Sequence, residues 1–289
     1  MKKGLSIIEK TMHVFFFLCG MTAIIATGVI TVYLIIAGLP AIKEIGLVPF
    51  LFGTQWRSTA QNPQFGILPF ILTSVYGTLG AVILGVPVGV GMAIFLSKLS
   101  PRKAAGGIRT AVDLLAGIPS VVYGLVGMMV LVPFMAKIFK LSNGAGLASA
   151  IIVLAVMILP GIVSVSATAL NAVPEDYEQA SLALGATKME TIIKVSVPSA
   201  KRGIATGIVL GIGRAVGEAM AVMMVAGNVA NMPSLFKSVT FLTTAVAKEM
   251  SYASGLQRDA LFSIALVLFC FIMLINIVLG FVLKREKNK

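Results

Sequence analysis

The sequence predicts an all-α, polytopic membrane protein with six transmembrane helices and both termini in the cytoplasm. Three observations carry that expectation. Of its 289 residues, 58% are hydrophobic and only 12% charged, and the mean hydropathy is +1.00, far from a water-soluble domain. Six stretches, roughly 13–37, 71–97, 115–136, 146–170, 204–226 and 260–283, are long and apolar enough to cross a bilayer. Finally, the basic residues are unevenly shared between the connecting segments. Fifteen of the 23 fall on one side: Lys2, Lys3 and Lys10; Lys98, Arg102, Lys103 and Arg109; Lys188, Lys194, Lys201 and Arg202; Lys284, Arg285, Lys287 and Lys289. Lys43, Arg57, Lys137, Lys140, Lys237, Lys248 and Arg258 fall on the other. The positive-inside rule places the richer side in the cytoplasm, and the net charge of +12 then reports topology and needs no nucleic acid to explain it.

The whole chain, 1–289, reads as one transmembrane domain. The first span follows MKKGLSIIEK, runs for about 25 residues and has no A-x-A-like site before Pro40, so it reads as uncleaved. An external loop, 38–70, holds the only Trp. The second span crowds Gly77, Gly80, Gly85, Pro87, Gly89 and Gly91. Small residues allow close helix packing, and Pro87 removes a backbone hydrogen bond, making it a candidate hinge. Asp113, Pro119 and Pro133 disturb the third span, and a short turn at Asn143-Gly144 leads to the fourth.

The segment 171–203 is too patterned for a passive linker. Val173-Pro174-Glu175-Asp176 starts a helix, with proline at the first helical position and acids in the first turn. Tyr177, Ala180 and Leu184 give a modest apolar face, and Gly185 is a helix terminator. Thr187 and Glu190 fit a capping box for a second helix, about 188–196, running through Pro198 into the fifth span. The expectation is a bent pair of helices on the cytoplasmic face. A plain amphipathic loop lying on the membrane is the alternative.

The fifth span, about 203–227, carries Arg214 and Glu218. Each such charge costs about 2.5–3.5 kcal/mol at mid-bilayer on insertion scales, so the pair is a functional candidate. As one continuous helix it would put Gly203, Gly207, Gly211, Arg214 and Glu218 on one face, looking into the protein, with Gly207 and Gly211 as close-packing positions. Arginine suits an oxyanion through two parallel hydrogen bonds, and Glu218 would offset its charge. An Arg–Glu pair that only joins helices is the competing account. A loop at 228–259, expected to be external, precedes the sixth span.

Several classes of chemistry are excluded. There is no G-x-x-x-x-G-K-[ST], so ATP hydrolysis belongs to a partner. Gly211-Ile212-Gly213-Arg214-Ala215-Val216-Gly217 imitates a dinucleotide fingerprint with the wrong last spacing and no preceding strand. His13 is the single histidine, and Cys19 and Cys270 lie in apolar runs, so neither a metal site, a catalytic triad nor a disulfide framework is supported. No cofactor and no enzymatic activity are expected.

Gln179-Ala180-Ser181, Gly185 and Val195-Ser196-Val197-Pro198 resemble the EAA loop of ABC importer permeases, E-A-A-x3-G-x9-I-x-L-P, with the glycine-to-proline spacing intact and Gln179 at the acidic position beside Glu178. Phe65-Gly66-Ile67-Leu68-Pro69-Phe70, Leu115 to Gly124 (LAGIPSVVYG) and Gly213-Arg214-Ala215-Val216-Gly217-Glu218 further resemble the phosphate-specific permeases, the first string favouring the PstC-type over the PstA-type subunit. The resemblance spans about residues 10–285. It implies a type I, MetI-like permease fold in a bacterial or archaeal plasma (inner) membrane. It also implies a PstA-type second permease, a PstB-type ATPase dimer and a PstS-type external phosphate-binding protein. By the same resemblance, Arg214 and Glu218 attend phosphate passage, and Glu178, Gln179, Ala180, Gly185 and Pro198 belong to ATPase coupling. A permease for molybdate or sulfate, and a free-standing secondary transporter, are the alternatives.

Overall fold

A computed structural model describes residues 2–285; Lys287 and Lys289 of the last basic cluster lie outside the described residues. Among the described residues, five helices are long and apolar enough to cross a membrane: Glu9–Ile45, Leu68–Leu99, Ser120–Ile138, Leu147–Asn171 and Gly255–Val278. The first belongs to α1 (Lys2–Ile45), which runs past its expected end and through Pro40. A short α2 (Leu47–Phe52) and a two-stranded antiparallel hairpin, β1 (Trp56–Arg57) with β2 (Gln64–Phe65), then lead to α3 (Leu68–Ile94).

The centre of the molecule is α7 (Leu147–Asn171), packed between α3 and α10 (Val197–Gly217). Glycines make both contacts close. Gly80 and Gly85 of α3 meet Ile151 and Ile158 of α7. A methyl group added at Gly211 of α10 would lie 3.0 Å from Ile162, and one at Gly207 would lie 3.1 Å from the Ser166 hydroxyl. Gly207 and Gly211 therefore pack as expected from the small-residue pattern. Pro87 is exposed on α3, which stays helical through it.

The third span begins later than expected. Arg102–Gly117 forms a separate amphipathic helix, α4, and α5 (Ser120–Val126) starts only after Pro119, whose backbone is extended. Gly127–Leu131 then forms a π-turn that leads into α6 (Val132–Ile138). Two more π-turns occur, at Phe95–Leu99 after α3 and at Ile192–Ser196 before α10. Each is followed two residues later by proline: Pro133, Pro101 and Pro198. Proline lacks the N–H for an i−4 bond, and its ring crowds that carbonyl; widening the preceding turn relieves the clash.

The structure corrects the fifth span. The helix is not continuous over 204–226. It stops at Gly217, Glu218 is extended (φ −73, ψ 126), and a second short helix, α11, covers Met220–Val225. Beyond it, α12 (Leu242–Glu249) packs back against α11, α3 and the last helix, α13 (Gly255–Arg285). The basic residues Lys98, Lys188, Lys194 and Lys201 share one end of the bundle with α8 (Glu175–Ala183) and α9 (Lys188–Thr191). The hairpin and α12 share the other end, around a core of Phe50, Trp56, Phe65, Ile67, Phe70 and Leu261.

Candidate functional site

The interrupted helix is held open by side chains from two directions. The Glu218 carboxylate accepts a hydrogen bond from the Ala221 N–H at 3.1 Å, capping α11. Its backbone carbonyl, left without a helical donor, accepts from the Thr243 hydroxyl of α12 at 2.9 Å. Irregular backbone inside a membrane survives only where protein or a watery cavity satisfies it, and these two contacts supply that satisfaction. Glu218 is therefore a cap and does not form an ion pair with Arg214, contrary to the continuous-helix expectation.

Arg214 stands in the last turn of α10, where a cation complements the helix dipole. Unlike Gly207 and Gly211, it is exposed on the single chain, at the edge of the glycine face. Its guanidinium acts electrostatically on Tyr123 of α5, whose hydroxyl donates to the Leu115 carbonyl at 2.7 Å. Beside them, α11 approaches α5 so closely that a methyl group at Gly124 would lie 2.7 Å from the Ala221 Cα. Two of the sequence strings, LAGIPSVVYG and GRAVGE, thus meet at the break. The third, Phe65 to Phe70, lies in the hairpin-end core with Trp56 and Leu242, the residue before Thr243.

At the basic end, the bent loop forms as expected. Helix α8 runs Glu175–Ala183, with Pro174 as its N-cap, one position earlier than read from sequence. Gly185 has φ +87, a conformation that side-chain-bearing residues avoid. The capping box is complete: the Thr187 hydroxyl accepts from the Glu190 N–H at 3.3 Å, and the Glu190 carboxylate accepts from the Thr187 N–H at 3.0 Å. Those bonds and Lys194 hold the Glu190 carboxyl below its ordinary value. Tyr177, Gln179, Ala180 and Leu184 are all exposed, Leu184 at 91%, so the apolar face of α8 is uncovered by this chain. Pro198 is also exposed. Of the five residues expected to serve ATPase coupling, Glu178 turns inward, onto Lys98 and Ser196.

At the opposite end, sequence reading missed a polar cluster. The Glu249 carboxylate accepts from the Trp56 indole N–H at 3.2 Å, the Ser58 hydroxyl at 3.3 Å and the Gln257 amide at 3.1 Å. It joins the hairpin to the end of α12 and the start of α13. The single Trp was the available signal, since a buried indole N–H needs a partner.

Apolar crossing helices, a charged interruption within them, and a solvent-facing bent loop define a class: the membrane-spanning subunit of a multi-protein transporter. The match is specific. Residues 85–286 fit the family described as binding-protein-dependent transport system inner membrane component, and the chain belongs to that family. It is 40% identical over 267 residues to the probable ABC transporter permease protein YqgH of Bacillus subtilis (strain 168), covering 89% of this chain and 86% of that one. It is 37% identical over 240 residues to the phosphate transport system permease protein PstC of Pasteurella multocida (strain Pm70), covering 76% and 74%. In shape it resembles a chain of the inward-facing MetNI methionine ABC transporter, with a TM-score of 0.61 at 20% identity over 76% of this chain and 95% of that one. It also resembles a chain of a bacterial alginate ABC transporter in complex with its alginate-bound periplasmic protein, with a TM-score of 0.64 at 14% identity over 94% and 95%. The fold is that of the MetI-like importer permeases, and the chain is a permease subunit of an ABC importer.

Proposed function

We propose that this chain forms half of the membrane pathway of an ATP-driven phosphate importer, with a PstA-type permease as the other half. The observation that carries the reading is Arg214: an arginine in the last turn of α10, unpaired with Glu218 and exposed toward whatever lies beside this chain, in a protein whose relatives include a phosphate permease. A guanidinium there greets an oxyanion with two parallel hydrogen bonds, and the nearby carboxylate of Glu218 keeps the anion from settling. The basic end faces the cytoplasm, and the hairpin end faces outward, where a PstS-type phosphate-binding protein delivers its ligand. The exposed face of Tyr177, Gln179, Ala180 and Leu184, cornered at Gly185, meets a PstB-type ATPase dimer. The membrane is the plasma (inner) membrane of a bacterium or archaeon.

The test is uptake of radiolabelled phosphate by proteoliposomes holding both permeases and the ATPase, supplied with ATP and binding protein. Arg214→Gln should abolish uptake while the complex still assembles. Normal uptake by that variant overturns the role of Arg214, and uptake of sulfate or molybdate in place of phosphate overturns the substrate.

A further inference from the structure

The side chain of Glu178 leaves the exposed face of α8 and enters a junction between three elements. Its Oε1 accepts from the Ser196 hydroxyl at 2.9 Å and pairs with the Lys98 ammonium. The junction is sheltered: the side chains of Lys98 and Glu178 are 11% and 24% exposed, whereas those of the neighbouring Lys194–Glu190 pair are 72% and 47%. Both partners of Glu178 lie in π-turns. Lys98 is in Phe95–Leu99, at the end of α3, and Ser196 is in Ile192–Ser196, at the head of α10. Turns of this kind are rare in helices and concentrate at functional sites. Here two of the three bound the same carboxylate.

The connectivity gives the junction its importance. The loop is joined by the chain to α7 and α10, and the hydrogen bond between Ser181 and Thr191, 3.0 Å, adds a local brace. Helix α3 has no chain connection to the loop; Lys98 precedes Glu178 by 80 residues. Movement of the loop reaches α10 directly through the chain, and among the described residues the ion pair of Glu178 with Lys98 ties the loop to the end of α3.

We propose that Lys98, Glu178 and Ser196 form the joint through which movement of the loop is passed to α3 together with α10, so that the two helices flanking α7 move in step. The inference rests on the loop being the ATPase contact proposed above. Glu178 and Lys98 act as positioning residues, and the exposed face of α8 remains the contact itself.

The complete reconstituted complex decides it, with Glu178→Gln, Lys98→Met and the exchanged pair K98E/E178K. Two readouts are needed: phosphate accumulated per ATP hydrolysed, and the ATP-induced distance change between spin labels at Ile83 or Leu210 and a common label at Ile277. Lys98→Met, outside the coupling loop, should keep its ATPase and its basal hydrolysis. Uptake per ATP should fall about ten-fold, inside the range usual for coupling between sites. The Ile83 shift should vanish while the Leu210 shift persists, and the exchanged pair should restore both readouts. Wild-type ratios and shifts in the single variants overturn the joint. So does loss of the ATPase from the complex, which would make Glu178 part of the docking face. If the wild type moves both labels on ATP but accumulates no phosphate, the substrate reading falls while the label shifts still decide the joint.

Discussion

Arg214 and Glu218 do different work from each other. The arginine is available to a ligand, and the glutamate is engaged with the Ala221 N–H. Glu218→Gln keeps an acceptor for that N–H, so thermal stability should be nearly unchanged, whereas Glu218→Ala should lose about 1 kcal/mol, the usual worth of a cap. Thermal melts of the detergent-solubilised complex check both. Gly185→Val forces a β-branched residue to φ +87, at a cost of roughly 1–2 kcal/mol or a displaced corner; uptake per ATP should drop even where the protein still folds. Glu178 carries a pH prediction. Burial alone raises its pKa, but hydrogen bonds from Lys98 and Ser196, with the charges of Lys98 and Lys188, outweigh burial and hold it below the ordinary value. A depressed carboxyl contributes its stability above the unfolded pKa of about 4.3 and loses it as pH falls through the lower native value. Uptake per ATP should therefore be flat as the loop-side pH goes from about 8 to about 6, well above that window, and measurement in buffered proteoliposomes tests this. The caps and the corner were legible from sequence because Gly185, Thr187 and Glu190 act within a few residues of chain. The partner of Glu178 was not, because Lys98 arrives from a different span.

Among the elements, the interruption at Glu218 is the largest departure from what periodicity foretells. A helical wheel assumes continuity, and nothing local to GRAVGEAM forbids it. Thr243, from 25 residues downstream, supplies the donor that lets the carbonyl of Glu218 leave the helix. Thr243→Val removes that donor while preserving shape. We expect about 1–3 kcal/mol of destabilisation from the stranded carbonyl, read as a lower melting temperature, together with reduced uptake. Valine at 243 with wild-type melting would show that water or a partner chain satisfies Glu218. The π-turns were half-legible. Pro101, Pro133 and Pro198 are plain in the sequence, and each marks a helix under local strain, but whether strain ends a helix, kinks it or widens it depends on neighbouring packing. Pro119 ends one outright: α4 stops at Gly117, and the span restarts at Ser120.

The molecule as a whole is built around α7, whose apolar stretch is 61% buried, while that of α1 is 6% buried. Composition foretold a bundle of crossing helices but not that hierarchy, because lipid and protein interiors select the same side chains. What α1 does touch is mainly α13: Tyr33 packs edge-on against Phe262 at 5.7 Å, and the Ser263 hydroxyl donates to the Gly38 carbonyl. The polar cluster at the hairpin repeats this arrangement, since Trp56 and Glu249 are 193 residues apart. Consequently the beginning of this protein waits for its end. At roughly 5–20 residues per second, the glutamate emerges from the ribosome about 10–40 s after the indole it receives. During that interval the first helix sits in lipid without its mate. A chain halted before α13 should leave α1 accessible to cross-linking with unrelated membrane proteins, and release of the full-length chain should abolish it. The order of synthesis thus makes the last helix the clasp that closes the subunit.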